Sequence, residues 1–224
     1  MNSLVFRGIP DKRVFEEAVA AARKWHDGEI ILSTWEGAEE AIDASIVDKL
    51  ILTRDPGPLK EYRNPSLIHA TRQIVAAHHG VREATGTNTL LLRTDCIPHS
   101  SLFKFIEERS AGDCHLFKNK MVCGNIMTIH PDYRGFPPHE IIWRVGDWFQ
   151  CGTTEDVYRF TDIVDEFEKH KNTGYGLEQI WVYSCFTKFK PECVSGKNWW
   201  EHLVGNFKII DNESTGDLIN ARYV

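Results

Sequence analysis

Thr87-Asn88-Thr89-Leu90-Leu91-Leu92-Arg93-Thr94-Asp95 is the stretch whose reading decides the fold. An unbroken apolar run, Leu90 to Leu92, carries Arg93 and Asp95 to the point where the run stops. A short apolar run bounded by polar residues predicts a strand buried on both faces. In open α/β sheets the ligand crevice lies just outside the carboxyl ends of such strands. A carboxylate there can hold a divalent cation against a diphosphate, and a neighbouring arginine can neutralise phosphate directly. An ordinary strand ending in a surface ion pair has the same local sequence, so the surroundings must separate the two.

Upstream, strand and helix patterns alternate. Leu4-Val5-Phe6 reads as a short first strand, and Asp11 as the cap of a helix burying Phe15, Val19, Ala22 and Trp25 and stopping at Gly28. Glu29 to Trp35 is a second strand, Glu36 to Ser45 a small alanine-rich helix, and Asp48 to Thr53 a third strand broken by Asp55-Pro56-Gly57-Pro58. Asn64 as N-cap, Pro65 at the first helical position and Gly80 past the end sign the next helix, which leads into the Leu90 strand. Such alternation predicts a mainly parallel sheet covered on both faces.

Beyond residue 96 the rhythm changes. Ser100 to Arg109 reads as a helix, Cys114 to Lys118 and Met121 to His130 as strands around Asn119, and Ile141 to Phe149 as a strand. Thr153 caps a helix with an acidic first turn, Leu177 to Phe189 is a further helix, and Asn206 to Ile210 a last strand. With no repeat and no separating linker, the 224 residues form one domain. Residues 1–96 are its nucleotide-type half, and residues 97–224 complete a cleft.

Composition excludes several classes. A net charge of −6 argues against nucleic acid as the main partner, since binding its backbone needs a basic face. No stretch approaches the roughly 18 apolar residues of a membrane span, so the expected location is cytoplasmic, compatible with peripheral membrane association. The six cysteines show neither a C-x-x-C pair nor zinc-ligand spacing and read as buried reduced thiols. No histidine pair has metalloprotease-type spacing.

Three consecutive strands end in polar, charged or aromatic residues: Trp35-Glu36-Gly37, Asp55-Pro56-Gly57 and Arg93-Thr94-Asp95. Trp35 could stack on a base, and Glu36 or Asp55 could accept from a base or ribose hydroxyl. Trp35 as a core residue and Asp55-Pro56-Gly57 as a plain turn are the alternatives.

These segments, with Ile31 to Gly37, Asn64, Arg72-Gln73-Ile74, Leu92 to Asp95, and Gly146-Asp147-Trp148-Phe149 with Gly152 and Glu155-Asp156, follow in an order that resembles the WavE lipopolysaccharide-synthesis family. The resemblance runs from about residue 4 to about residue 210. It implies an α/β fold of the GT-A-like (nucleotide-diphospho-sugar transferase) type, three layers around a mainly parallel mixed sheet. It also implies a glycosyltransferase that moves a sugar from a nucleotide-diphosphate donor to a glycan or glycolipid acceptor of the cell surface. Gly146 stands where the family pattern has serine.

In such transfer the leaving diphosphate must be neutralised. GT-A enzymes usually do this with a metal held by Asp-x-Asp. Here Arg93 occupies the first position, leaving Asp95 as the candidate ligand for manganese or magnesium. Arg93 and Arg72 are the metal-free alternative. An inverting enzyme also needs a general base, for which Asp147 and Glu178 are the candidates; a retaining one does not. Two rivals remain at this stage. A sugar nucleotidyltransferase would carry a glycine-rich loop after the first strand, where Arg7-Gly8-Ile9-Pro10 has one glycine. The second rival is a non-catalytic sugar-nucleotide-binding or scaffold protein of glycan assembly.

Overall fold

Four parallel strands form the heart of the molecule: β1 (Asn2–Arg7), β2 (Glu29–Trp35), β3 (Lys49–Thr53) and β4 (Asn88–Arg93), in the order β3-β2-β1-β4. The computed structural model describes residues 1–59, 67–108, 114–124, 143–194, 198–211 and 219–221. Side chains alternate across a strand, which splits the apolar runs between two layers. Leu4, Phe6, Ile30, Leu32, Leu90 and Leu92 pack on α1 (Lys12–Ala22). Val5, Ile31 and Leu91 face α2 (Ala70–Arg82) and the C-terminal helices. Burial on both faces is why these runs are continuous in sequence.

After β4 come β5 (Cys96–Pro98), β6 (Glu107–Glu108) and β7 (Asn119–Gly124), then β8 (Phe149–Thr153), β9 (Phe207–Ile210) and β10 (Ile219–Ala221). β8 runs antiparallel between β4 and β7, and β9 joins β7 in parallel, giving an eight-stranded mixed sheet with β10 and β5 paired separately. The helices α3 (Thr154–Thr161), α4 (Val164–His170), α5 (Leu177–Phe189) and α6 (Trp199–Asn206) contribute to the layer that α2 begins. The result is a three-layer, GT-A-like α/β fold, as the alternation and the resemblance imply.

Asp11 caps α1, its carboxylate accepting from Val14 N at 3.1 Å, and Thr153 caps α3 by accepting from Asp156 N at 3.2 Å. The first strand is longer than its apolar core because hydrogen-bonded neighbours on both sides extend it to Arg7. Glu36 to Ser45 forms two 3-10 turns, Glu39–Ala41 and Ala44–Ile46, instead of one helix. Where a helix was expected from Ser100 to Arg109, the described residues form a 3-10 turn, Phe103–Phe105, and the two-residue strand β6, while Arg109 lies outside them. Cys114 to Lys118 lies outside any strand, and residues 143–148 form a loop before β8. Asn64, Pro65, residues 125–130 of the strand expected over Met121 to His130, and residues 141 and 142 of the next lie outside the described residues.

Gly80 is inside α2 and does not stop it. A Cβ there would stand 2.7 Å from both Ser33 Cβ and Val5 Cγ1, so the glycine is needed for the helix to approach β1 and β2. Cys114 and Cys193 form a disulfide, with their Cα atoms 6.5 Å apart and a sequence separation of 79. The expectation of reduced thiols therefore holds for the four buried free cysteines only.

Candidate functional site

The register of β1 against β4 sets Arg7 directly beside Arg93. Both side chains leave the sheet on the face of Val5 and Leu91, because residues two apart share a face. Two like charges side by side repel, and the surrounding carboxylates offset this.

Arg93 forks onto Asp95, with Nε donating at 3.0 Å and Nη2 at 2.6 Å, and its Nη1 reaches Asp147 Oδ2 at 3.4 Å. Arg7 is 1% exposed. It donates to Gln73 Oε1 at 2.7 Å and to the Asp147 carbonyl at 2.6 Å, and lies 3.9 Å from Asp147 Oδ2. Its guanidinium also stacks over Trp181, 4.9 Å from the ring centroid. Burial pulls the Arg7 pKa down to about 10 against the pull of Asp147, which leaves it charged at neutral pH. Burial also disfavours charge on Arg93, but the Asp95 fork and the field of Asp147 outweigh it and raise its pKa.

Antiparallel β8 explains how Asp147 arrives there. Leu92 pairs with Phe149 and Arg93 N donates to Trp148 O at 3.1 Å, so the loop before β8 ends beside the carboxyl end of β4. Asp147 therefore lies in the loop before β8, whereas the expected strand Ile141 to Phe149 would have included it.

A cleft of about 480 Å³ opens at the carboxyl ends of β1, β2 and β4. Arg7, Arg72, Arg93, Asp95, Trp35 and Gln73 are among the residues that line it, together with the turn that follows β1. Gly8 in that turn has φ +112°, a value that L side chains rarely adopt. It is held by its N–H on Ser33 O at 3.2 Å, while Thr94 Oγ1 donates to Ile9 O at 2.6 Å.

Of the residues expected from sequence, Trp35, Arg72, Arg93 and Asp95 meet in the cleft wall. Asp55 stands behind Arg72, accepting from its Nε at 2.8 Å and its Nη2 at 2.6 Å while also capping Gly57 N at 2.8 Å. Its visible role is to aim Arg72, whose guanidinium lies 5.4 Å from the centroid of Trp35. The fork on Arg72 is the chief cause that holds the Asp55 carboxyl below its usual range. Glu36 is exposed and outside the cleft lining. Asp147 stands behind the lining residues Arg7 and Arg93, and Glu178, buried as well, is outside the lining. Burial, reinforced by the negative field of Asp147, raises the Glu178 pKa, and Arg144 stands 4.0 Å away.

The sequence reading missed Arg7, Gln73 and His69, which all line the cleft. For Arg7 a signal existed: it ends the apolar run of β1 just as Arg93 ends that of β4.

The family model described as WavE lipopolysaccharide synthesis matches residues 7–223. The chain belongs to this family. Its membership places the protein in lipopolysaccharide synthesis, and the match begins at Arg7, the first residue of the cleft wall. No curated protein matches the chain. Among the described residues no helix is long and apolar enough to cross a membrane.

Proposed function

We propose that the protein is a glycosyltransferase of lipopolysaccharide synthesis, taking a sugar from a nucleotide-diphosphate donor to a glycan or glycolipid acceptor. The observation that carries this reading is the grouping of Arg7, Arg72 and Arg93 in one cleft at the carboxyl ends of parallel strands, with Trp35 in its wall. Guanidinium forks match phosphate geometry, and aromatic faces suit a planar base. In this reading residues 1–96 hold the donor, and residues 97–224 complete the cleft for the acceptor.

Asp95 fits a metal poorly in this arrangement. Both its oxygens are engaged by Arg93. Among the described residues, no group of three metal-ligating side chains lies in the cleft. A manganese or magnesium ion on Asp95 would have to displace Arg93. We therefore assign neutralisation of the leaving diphosphate to the guanidiniums, which act where charge develops.

If transfer inverts the anomeric carbon, the bond from that carbon to the diphosphate oxygen breaks as the acceptor oxygen bonds to it. The hydroxyl proton passes to a carboxylate. Glu178 suits this role because its raised proton affinity brings it nearer the working pH. Asp147, held between two guanidiniums, is better matched to positioning them.

A panel of nucleotide sugars screened by thermal shift, with and without manganese, tests the reading. Binding to the folded state at a hundredfold excess over Kd adds about 2.7 kcal/mol of stability. A donor that stabilises the wild type, fails to stabilise Arg93→Ala, and is turned over with acceptor supports it. Turnover lost in chelator and restored by manganese would return Asp95 to the role of ligand. Absence of any donor binding would favour the scaffold reading.

A further inference from the structure

Among the described residues, one group of three metal-ligating side chains stands away from the cleft: Cys114, Cys193 and His202. Their ligand atoms all lie within 4.8 Å of one another. They come from three segments: the loop before β7, the 3-10 turn Pro191–Cys193 after α5, and α6. Both cysteines are buried, at 7% and 6% exposure, and His202 is half-buried.

We propose that this group is a zinc site whenever its disulfide is reduced, with two thiolates and one imidazole as protein ligands and a fourth position for water or another donor.

Two observations support it beyond proximity. The first is ligand chemistry. A tetrahedral zinc ion with sulfur at about 2.3 Å and nitrogen at about 2.0 Å sets its ligand atoms about 3.5–3.8 Å apart. Once the sulfur–sulfur bond opens, the two sulfurs need only part to that spacing, and the imidazole nitrogen already lies within 4.8 Å of both. Soft thiolates also select zinc over the hard, oxygen-seeking ions magnesium and manganese.

The second is that two of the three ligand-bearing segments, the Cys114 loop and the helix with His202, are joined by contacts other than the sulfur–sulfur bond. Asn206, fully buried one turn after His202, donates to Cys114 O at 3.0 Å and to His202 O at 2.7 Å. Its Oδ1 accepts from Leu116 N at 2.9 Å. One side chain thus ties the Cys114 loop to the helix bearing His202. Leu116, Phe117, Leu203 and Phe207 surround this junction as part of the same apolar cluster. A dry, fixed setting of this kind lowers the entropy that a metal must otherwise overcome on binding.

Disulfide and zinc are then alternative states of one site. A dithiol reductant supplies two electrons and two protons, becoming a disulfide itself while the Cys114–Cys193 bond opens to two thiols. Zinc then displaces the two thiol protons and takes both thiolates. In a reducing compartment, where protein thiols are kept free, the metal state is the one expected.

The test uses the full chain. Protein reduced with a dithiol, then freed of it under inert gas, is titrated with zinc alone in excess magnesium. A parallel sample is oxidised first. The expected result is about one zinc per reduced chain and none per oxidised chain. Cobalt in place of zinc should give the strong visible bands of a tetrahedral ion and a near-ultraviolet thiolate charge-transfer band. His202→Gln should weaken binding at least about tenfold, the scale that even an outer partner of a metal site reaches. Cys193→Ser should remove the charge-transfer intensity of one thiolate. The wild-type titration stands even if a variant fails to fold. Reduced wild type that takes up no zinc, or equal uptake after oxidation, overturns the proposal. Unchanged affinity in folded His202→Gln does so as well.

Discussion

Asp147 is the counter-ion on which two arginines depend, and its removal should show this as a measurable coupling. Its Oδ2 lies 3.4 Å from Arg93 Nη1 and 3.9 Å from Arg7 Nη2. At an effective dielectric near 20, each pair carries roughly 4–5 kcal/mol of gross Coulomb attraction. Desolvation of the ions offsets much of that, so Asp147→Asn should cost a net of about 3 kcal/mol, the lower end for breaking a buried pair. Arg7→Met removes one ion of the same pair and should cost a similar amount, because it also strips donors from Gln73 Oε1 and the Asp147 carbonyl. The double variant removes both charges together and leaves Arg93 with Asp95. It should therefore be less destabilised than the sum of the singles by at least about 1.5 kcal/mol. Urea unfolding followed by tryptophan fluorescence reads all four proteins, and Trp181, stacked on Arg7, reports the site itself. Additivity within about 0.5 kcal/mol, with unchanged urea dependence, would refute the view that Arg7 and Asp147 act as one unit.

Three further outcomes follow from named contacts. Glu178→Gln should slow transfer by about 10²-fold or more while donor affinity holds, and should abolish the acidic limb of the rate profile. That limb rises with pH through a pKa above the usual carboxylate range, since burial raises Glu178; a limb unmoved by the substitution assigns the base elsewhere. For Glu29, burial is outweighed by the Lys49 ion pair and by hydrogen bonds from Ser3 and Thr85, which bring its pKa to about 2. Because the folded pKa is depressed, its contribution is present above the unfolded value near 4.5 and is lost as pH falls towards 2. Glu29→Gln should thus cost about 1–2 kcal/mol at pH 7, after allowance for screening, and little near pH 2, as urea midpoints at the two pH values would show. Gly80→Ala should destabilise by about 1–3 kcal/mol, since the added methyl meets Ser33 and Val5 at 2.7 Å; a melting temperature equal to wild type would count against that packing.

The core of the fold was written in the one-dimensional pattern. Apolar runs at Leu4–Phe6, Ile30–Leu32 and Leu90–Leu92 could only be strands buried twice over, and the helices between them forced the parallel order. Residues 36–46 and 100–108 misled because helix propensity is weak over so few residues and tertiary packing decides them. Arg93, Asp95, Arg72 and Trp35 were legible as residues of the cleft wall because each ends a strand or stands on the helix before one. Arg7 and Asp147 were not paired in the reading, for a reason of geometry. Their meeting requires β1 to lie in register beside β4, and β8 to return antiparallel so that the loop before it closes on the same strand end. The same holds for Cys114, Cys193 and His202, the two cysteines standing at a sequence separation of 79. Local spacing encodes what neighbours along the chain can do; which distant charges and thiols touch is settled only when the strands choose their order.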